Sequence, residues 1–331
     1  MTTSRTGTTP PARRFDLFEL LYKWGTIITI GLLIAFFGLV APGFLSANNL
    51  VNILRSISIV TVIAIGVSIS LSVGGFDLSV GSVASLADAV VVSVLIWYAR
   101  GAGVAIVAAV AAALLVGALN AFLIVKVRIP DMLATLATMF VIQGVAMTYT
   151  KGGSVTANMM MPDGSTAAGR LTPFFNAIGQ VPFIILIMLA AIVIVQIFLS
   201  YTKYGRFFYV VGGNLEAARL SGIPIGRYRT VAYLISSVFA AAGGIMLASR
   251  IGSSQVGAGS SYLMDAVAAA YIGFSLGGSG KPNAFGTFIG AILIGVLQNG
   301  LVMISVPYYA MDIVKGAVLA LALALTYVKK R

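Results

Sequence analysis

The chain has 331 residues, of which 59% are hydrophobic and only 9% charged, and its mean hydropathy is +1.03. Soluble globular proteins carry about 25% charged residues, because their surface must face water. This composition therefore excludes a soluble enzyme, a disulfide scaffold and a disordered chain, and leaves an integral membrane protein of spanning helices. There is no cysteine and no histidine. That removes thiolate and imidazole chemistry and Cys- or His-based metal sites. The net charge of +12 is read as basic residues on one side of a membrane. No basic stripe with interleaved aromatics points to nucleic acid.

In chain order, residues 1–23 form a cytoplasmic tail. It is read as retained, because the apolar run after it has spanning length and no A-x-A-like cleavage site. A span needs about 20 mostly apolar residues. Walking between charges gives ten runs. They are Trp24 to Val40, Arg55 to Asp77, Leu78 to Tyr98, Arg100 to Lys126, Met132 to Tyr149, Val181 to Leu199, Thr230 to Ser249, Asp265 to Gly277, Ala284 to Ile304 and Met311 to Val328. The expected fold is all-α and polytopic, with a transmembrane domain over 24–328 and a short tail at 329–331. Polar stretches at 151–180 and 201–230 interrupt it. With both termini inside, fifteen of the 21 basic residues fall on cytoplasmic segments, as the positive-inside rule requires. The longest loops are too short for a soluble core.

Several stretches bear on function. Gly280-Lys281 is not a phosphate loop, because Ser275 replaces the first glycine and Pro282 follows the lysine. The chain is thus expected to leave ATP to another subunit. Asp77, with Ser79, either caps a helix beginning at Leu78 or sits at the inner end of a transport path. Asp88 lies in an apolar run. It is open to three readings: a coupling-ion site, a polar pathway lining, or a structural contact to a helix-end arginine such as Arg55 or Arg100. Asn214 to Leu220 reads as a short helix, with Asn214 as N-cap, Glu216 in the first turn and a stop at Ser221-Gly222. Its basic rim suits docking. Gly286-x-x-x-Gly290 permits close helix approach. The glycine-rich turns at 74–81 and 277–280 look alike, as in chains built from a duplicated half.

These residues carry a resemblance. Pro42-Gly43-Phe44 with Asn48-Asn49-Leu50 is one matching stretch. Gly75-Phe76-Asp77-Leu78-Ser79-Val80-Gly81-Ser82 is similar to a G-I-D-L-S-V-G-S signature. Gly212-Gly213-Asn214 through Ala217-Ala218-Arg219-Leu220-Ser221-Gly222-Ile223 is similar to a G-G-N-x-x-A-A-x-L-S-G-I loop. Asp265-Ala266-Val267-Ala268-Ala269, Asn299-Gly300-Leu301 and Val314-Lys315-Gly316 complete the series. Together they resemble the membrane permease subunit of bacterial ABC importers of simple sugars, the ribose, xylose, arabinose and galactose group. Leu263 stands where ribose permeases carry an acid, Gly273-Phe274 replaces paired glycines, and the 278–283 turn is less basic. These departures concern the particular sugar.

The resemblance implies a multi-pass inner-membrane permease that works as a homodimer. It implies ATPase subunits as partners, a periplasmic sugar-binding protein, surrounding lipid, and no cofactor. It places the coupling to the ATPase on Gly213, Asn214, Glu216, Ala217, Ala218, Arg219 and Gly222. Candidate path residues are Asp77, Ser79, Asp88, Asp265 and Asn299. The competing reading is an ion-coupled secondary transporter, for which Asp88 is the only deeply placed acid.

Overall fold

A computed structural model describes residues 17–161, 163–275 and 280–327. The expected tails at 1–16 and 329–331, and the 276–279 part of the second glycine-rich turn, lie outside the described residues. The chain is almost wholly helical. Its helices are α1 (Leu17–Val40), α2 (Ala47–Ser72), α3 (Val80–Ile96), α4 (Ala102–Ala121), α5 (Asp131–Tyr149), α6 (Pro173–Ile178) and α7 (Phe183–Tyr201). They continue with α8 (Lys203–Gly213), α9 (Leu215–Leu220), α10 (Ile225–Ile251), α11 (Leu263–Ser275), α12 (Ala284–Met303) and α13 (Tyr308–Tyr327). A π-helical turn, Phe122–Lys126, extends α4, and a 3-10 turn, Ala258–Tyr262, precedes α11. Two short strands, β1 (Val155–Thr156) and β2 (Ser253–Ser254), pair antiparallel.

Among the described residues, each apolar run read from the sequence overlaps one of these helices; the second run passes the end of α2, and the ends of the eighth and tenth lie outside the described residues. Among the described residues, six helices are long and apolar enough to cross a membrane: α2, α4 with its π turn, α5, α7, α10 and α12. Trp24–Val40 and Val80–Ile96 are shorter apolar helices. The chain is a multi-pass α-helical membrane protein. α2, α10 and α12 form its buried centre, and α4, α5 and α7 turn large apolar side chains such as Leu115, Phe140 and Ile194 outward. An outward apolar face is stable only against lipid or a partner.

The connections gather at two ends. At one end, Gly74 packs on Gly212, Arg229 binds Asp131, and the Tyr209 hydroxyl donates to the Pro282 carbonyl (2.7 Å). At the other, Gly169 N donates to Ile96 O (3.1 Å), Gly179 N to Ser249 Oγ (2.6 Å), and Arg55 to Gln180 (2.7 Å). We call these the α9 end and the opposite end.

α3 and α11 are short because each follows a break in the α-helix: an irregular stretch, 73–79, and a stretch of β2, a turn and a 3-10 turn, 253–262. The two stretches lie against each other's helices. Along α3, Asp88 meets Ser254 and Gln255, Ser85 meets Ser260, and a Cβ on Gly81 would lie 3.0 Å from Leu263 Cβ. Beyond that point, Phe76 of the first stretch stacks edge-on with Tyr271 of α11, centroids 5.9 Å apart. The two broken elements therefore run antiparallel, with the N-termini of α3 and α11 side by side. The second of the two turns whose likeness the sequence suggested, 277–280, lies largely outside the described residues; the packing places 73–79 and 253–262 at one junction. The Gly286–Gly290 spacing behaves as expected, with Gly286 packed on Gly273 and Gly290 on Ala269.

Candidate functional site

Extended backbone among spanning helices exposes donors and acceptors that no water satisfies, so the protein must supply partners. For 73–79 the anchor is Asp77, which is buried. Its Oδ1 accepts from Ser79 N (2.9 Å) and Ser79 Oγ (2.6 Å), and its Oδ2 from Ser236 Oγ of α10 (2.8 Å). Ser79 Oγ accepts in turn from Asn120 of α4 (2.8 Å). Thr135 of α5 accepts from Leu78 N (3.2 Å). The helix begins at Val80, not at the expected Leu78, with Ser79 as N-cap. Asp77 thus closes a turn before the helix and ties it to α10. Both of its oxygens are used, so an asparagine cannot reproduce the set.

For 253–262 the anchor is Asp88. Its Oδ2 accepts from Ser254 Oγ (3.0 Å) and Gln255 N (3.2 Å). Neither Arg55 nor Arg100 reaches it: Arg55 binds Gln180. Ser260 adds two bonds, N–H to Ser85 Oγ (3.1 Å) and Oγ–H to Gln143 Oε1 (2.7 Å). Nothing in the sequence pairs Asp88 with residues 166 and 167 positions away.

Asp265 and Asn299 come together elsewhere. Both line a cleft of about 870 Å³ between α2, α11, α12 and α13, with Ser56, Arg250, Tyr262, Gln298 and Lys315. Lys315 bridges Asp265 (3.4 Å) and Asp312 (3.2 Å). Asn299 forms a reciprocal amide pair with Asn49, 2.9 and 3.1 Å. Arg250, at the end of α10, donates to Ser56 (3.3 Å). This is a wide polar cleft in an apolar bundle, rich in hydroxyl-binding groups. The five candidate path residues therefore form three groups: Asp77 with Ser79, Asp88, and Asp265 with Asn299. Arg250 and Gln298 escaped the sequence reading as cleft residues: Arg250 stands at a helix end, and Gln298 lies just outside the Asn299-Gly300-Leu301 stretch.

The docking-type segment folds as two helices. α8 was not foreseen; Thr202 caps it by accepting from Gly205 N (3.1 Å). Tyr209 of α8 holds Pro282, and burial pushes its hydroxyl up to about 12, so it remains a donor. α9 follows the expected cap, with Asn214 Oδ1 accepting from Glu216 N and Ala217 N, both 3.0 Å. Gly222, at φ +71°, is in the left-handed region that glycine adopts without strain, and its N–H returns to Arg219 O (3.0 Å). Glu216 and Arg219 form an exposed pair at 3.6 Å, worth little by itself. Ala218 is fully buried and packs under α9. The exposed apolar groups are Leu215 and Leu220.

This segment touches the first extended stretch. A Cβ on Gly74 would lie 3.3 Å from Gly212 Cα and O, and one on Gly212 would strike the Ser72 carbonyl. Two bare backbones are in contact there, which only glycine allows.

A polytopic helical bundle with two broken elements, buried acids and a polar cleft defines a membrane permease. Residues 49–323 match the family described as the branched-chain amino acid transport system / permease component, and the chain belongs to that family. It is 35% identical over 317 residues to a ribose import permease protein of Escherichia coli (strain K12), covering 95% of this chain and 96% of the relative. It is 33% identical to a ribose import permease protein of Bacillus subtilis (strain 168), covering 95% of each. It is 30% identical to a xylose transport system permease protein of Haemophilus influenzae, covering 89% of this chain and 93% of the relative. No solved structure matches it.

Proposed function

We propose that the chain is the permease subunit of an ATP-driven importer of a simple sugar, of the pentose class named in its relatives. The carrying observation is the match along about the whole length of both chains to proteins named for ribose and xylose import. The polar cleft supports it, because amide, hydroxyl and charged groups suit a polyol better than a branched aliphatic side chain. ATP hydrolysis belongs to partner ATPase subunits on the α9 end, and a soluble sugar-binding protein delivers solute at the opposite end. Two copies of the chain enclose the path.

The proposed topology has ten spans with both termini inside. α3 and α11 complete their spans through the extended stretches. The clustering of Lys126, Arg128, Lys203, Arg206, Arg219, Arg227, Arg229 and Lys281 at or next to the α9 end supports a cytoplasmic assignment of that end. α9 is the coupling element, through Gly213, Asn214, Glu216, Ala217, Arg219 and Gly222. Ala218 is its buried anchor. Motion at α9 passes through α8 and the Gly212–Gly74 contact to the stretch held by Asp77 and Ser79. The cleft of Asp265 and Asn299 receives the solute.

The test is reconstitution in vesicles with the partner ATPase and binding protein, followed by uptake of labelled ribose, xylose and leucine. ATP-dependent pentose uptake is expected. Leucine uptake without pentose uptake would overturn the substrate class, and gradient-driven uptake by this chain alone would overturn the ATP-driven assignment.

A further inference from the structure

A second cleft, of about 530 Å³, opens at the α9 end. Its floor is apolar, from Ile124 of the π turn, Ile129, Ile223 and Ile225. Its polar lining is Arg128, Arg219, Arg229 and a single acid, Asp131. The charges are not equivalent. Asp131 is already used: it binds Arg229 and accepts from the Tyr233 hydroxyl (2.6 Å). Arg229 Nε is nonetheless buried without a hydrogen-bond partner. Arg219 has only its exposed contact with Glu216. Arg128 makes no ion pair among the described residues, and it stands at φ +66° just after the π turn, a conformation uncommon for a side chain of its size. The cleft therefore holds a surplus of positive charge above an apolar floor.

Its surroundings choose the occupant. Phe122, Val127, Met132 and Leu133 flank the cleft on α4 and α5, and each is more than half exposed. Apolar side chains exposed on a spanning bundle face acyl chains. The cleft thus sits where the lipid-facing wall of α4 and α5 meets the arginines beside α9. An occupant must carry negative charge at one end and apolar length at the other. Basic pockets between helices at a membrane surface take anionic headgroups in this way.

We propose that this cleft binds an anionic glycerophospholipid, with the phosphate between Arg128 and the unpartnered Nε of Arg229 and the upper acyl chain along Ile124 and Ile129. Bound there, the lipid is wedged between the π turn of α4 and the connection from α9 to α10. It stiffens the seat of α9, making importer coupling sensitive to anionic lipid.

The test uses the full chain in nanodiscs of phosphatidylcholine with and without phosphatidylglycerol, with bound lipid read by native mass spectrometry. The unsubstituted protein is expected to retain phosphatidylglycerol in preference to phosphatidylcholine. Arg128→Asn keeps a residue that tolerates the left-handed backbone and removes the charge; it should lower phosphatidylglycerol retention about fivefold. Arg128→Lys should restore most of it. Equal retention in Arg128→Asn, or no preference over phosphatidylcholine, overturns the proposal. Thermal stabilisation by inorganic phosphate equal to that by phosphatidylglycerol would assign the site to a free anion and also overturn it. Loss of the lipid on adding the partner ATPase would assign the arginines to that protein, with the same consequence.

Discussion

Gly212 and Gly213 are neighbours at the end of α8, yet they face opposite situations. A Cβ on Gly212 would lie 2.8 Å from Gly74 N and closer still to the Ser72 carbonyl. Both obstacles are backbone, so no side chain can swing away and α8 must lift off the 73–79 stretch. Overpacking of this kind costs about 1–3 kcal/mol. A Cβ on Gly213 meets nothing within 4 Å, and alanine in a helix is favoured over glycine by about 1 kcal/mol. Gly212→Ala is therefore expected to cost about 2 kcal/mol at the α8 contact, equivalent to about a thirtyfold shift in its population. Gly213→Ala should fold at least as well as the unsubstituted chain. The assay is paired: sugar uptake and sugar-stimulated ATP hydrolysis in vesicles containing the partner ATPase, with expression and thermal stability as controls. Gly212→Ala should reduce uptake at least tenfold while ATP hydrolysis continues, uncoupled. Uptake by Gly212→Ala equal to that by the unsubstituted chain, at equal expression, would refute transmission through this contact.

Three further outcomes follow from the geometry. Ala218→Trp places a large ring in a filled interior and should destabilise α9 itself, whereas Leu220→Ala, at an 83% exposed position, should leave stability unchanged and weaken only ATPase association, read by co-purification. Asp88→Asn keeps an acceptor for Ser254 and Gln255 and should retain most uptake; Asp88→Leu strands the buried Ser254 hydroxyl at about 1–3 kcal/mol, frees the less buried Gln255 N–H, and should lower expression and uptake together. Single cysteines at Gly152 and Gly213, in a chain without native cysteine, should label only from opposite sides of the membrane, and labelling of both from one side would overturn the proposed topology.

The helices were legible because hydropathy and charge spacing record burial in lipid directly. The broken elements were only partly so. Residues 253–262 contain five residues that are Gly or Ser before Ser261, which reads as a surface loop, and no local signal states that it runs back along α3. The partners of Asp88 are remote in sequence, so no local pattern shows that Ser254 and Gln255 stand beside it. The cap and stop of α9 are local, and they were read correctly. Its buried face is not legible, since six residues are too few for a periodicity to show it. α8 was missed because Gly205 and the paired Gly212-Gly213 read as loop, while in the structure they are contact points: Gly205 against Leu199 and Gly212 against Ser72.

The two buried acids have parallel roles. Asp77 spends both oxygens on Ser79 and Ser236, and Asp88 spends Oδ2 on Ser254 and Gln255 and keeps Oδ1 buried without a hydrogen-bond partner. Each acid fixes one extended stretch to a neighbouring helix, and the two stretches lie at the junction where α3 and α11 begin. Such anchors let short irregular backbone persist among apolar helices. They hold it by hydrogen bonds that a movement of a few tenths of an ångström weakens. The 73–79 stretch is also the one that α8 touches. On the proposed coupling through α9, a push arrives at backbone held by the Asp77 hydrogen bonds and the Gly74–Gly212 contact. An importer driven from outside the chain needs such a yielding element, and a rigid bundle of ten uninterrupted helices would not provide it.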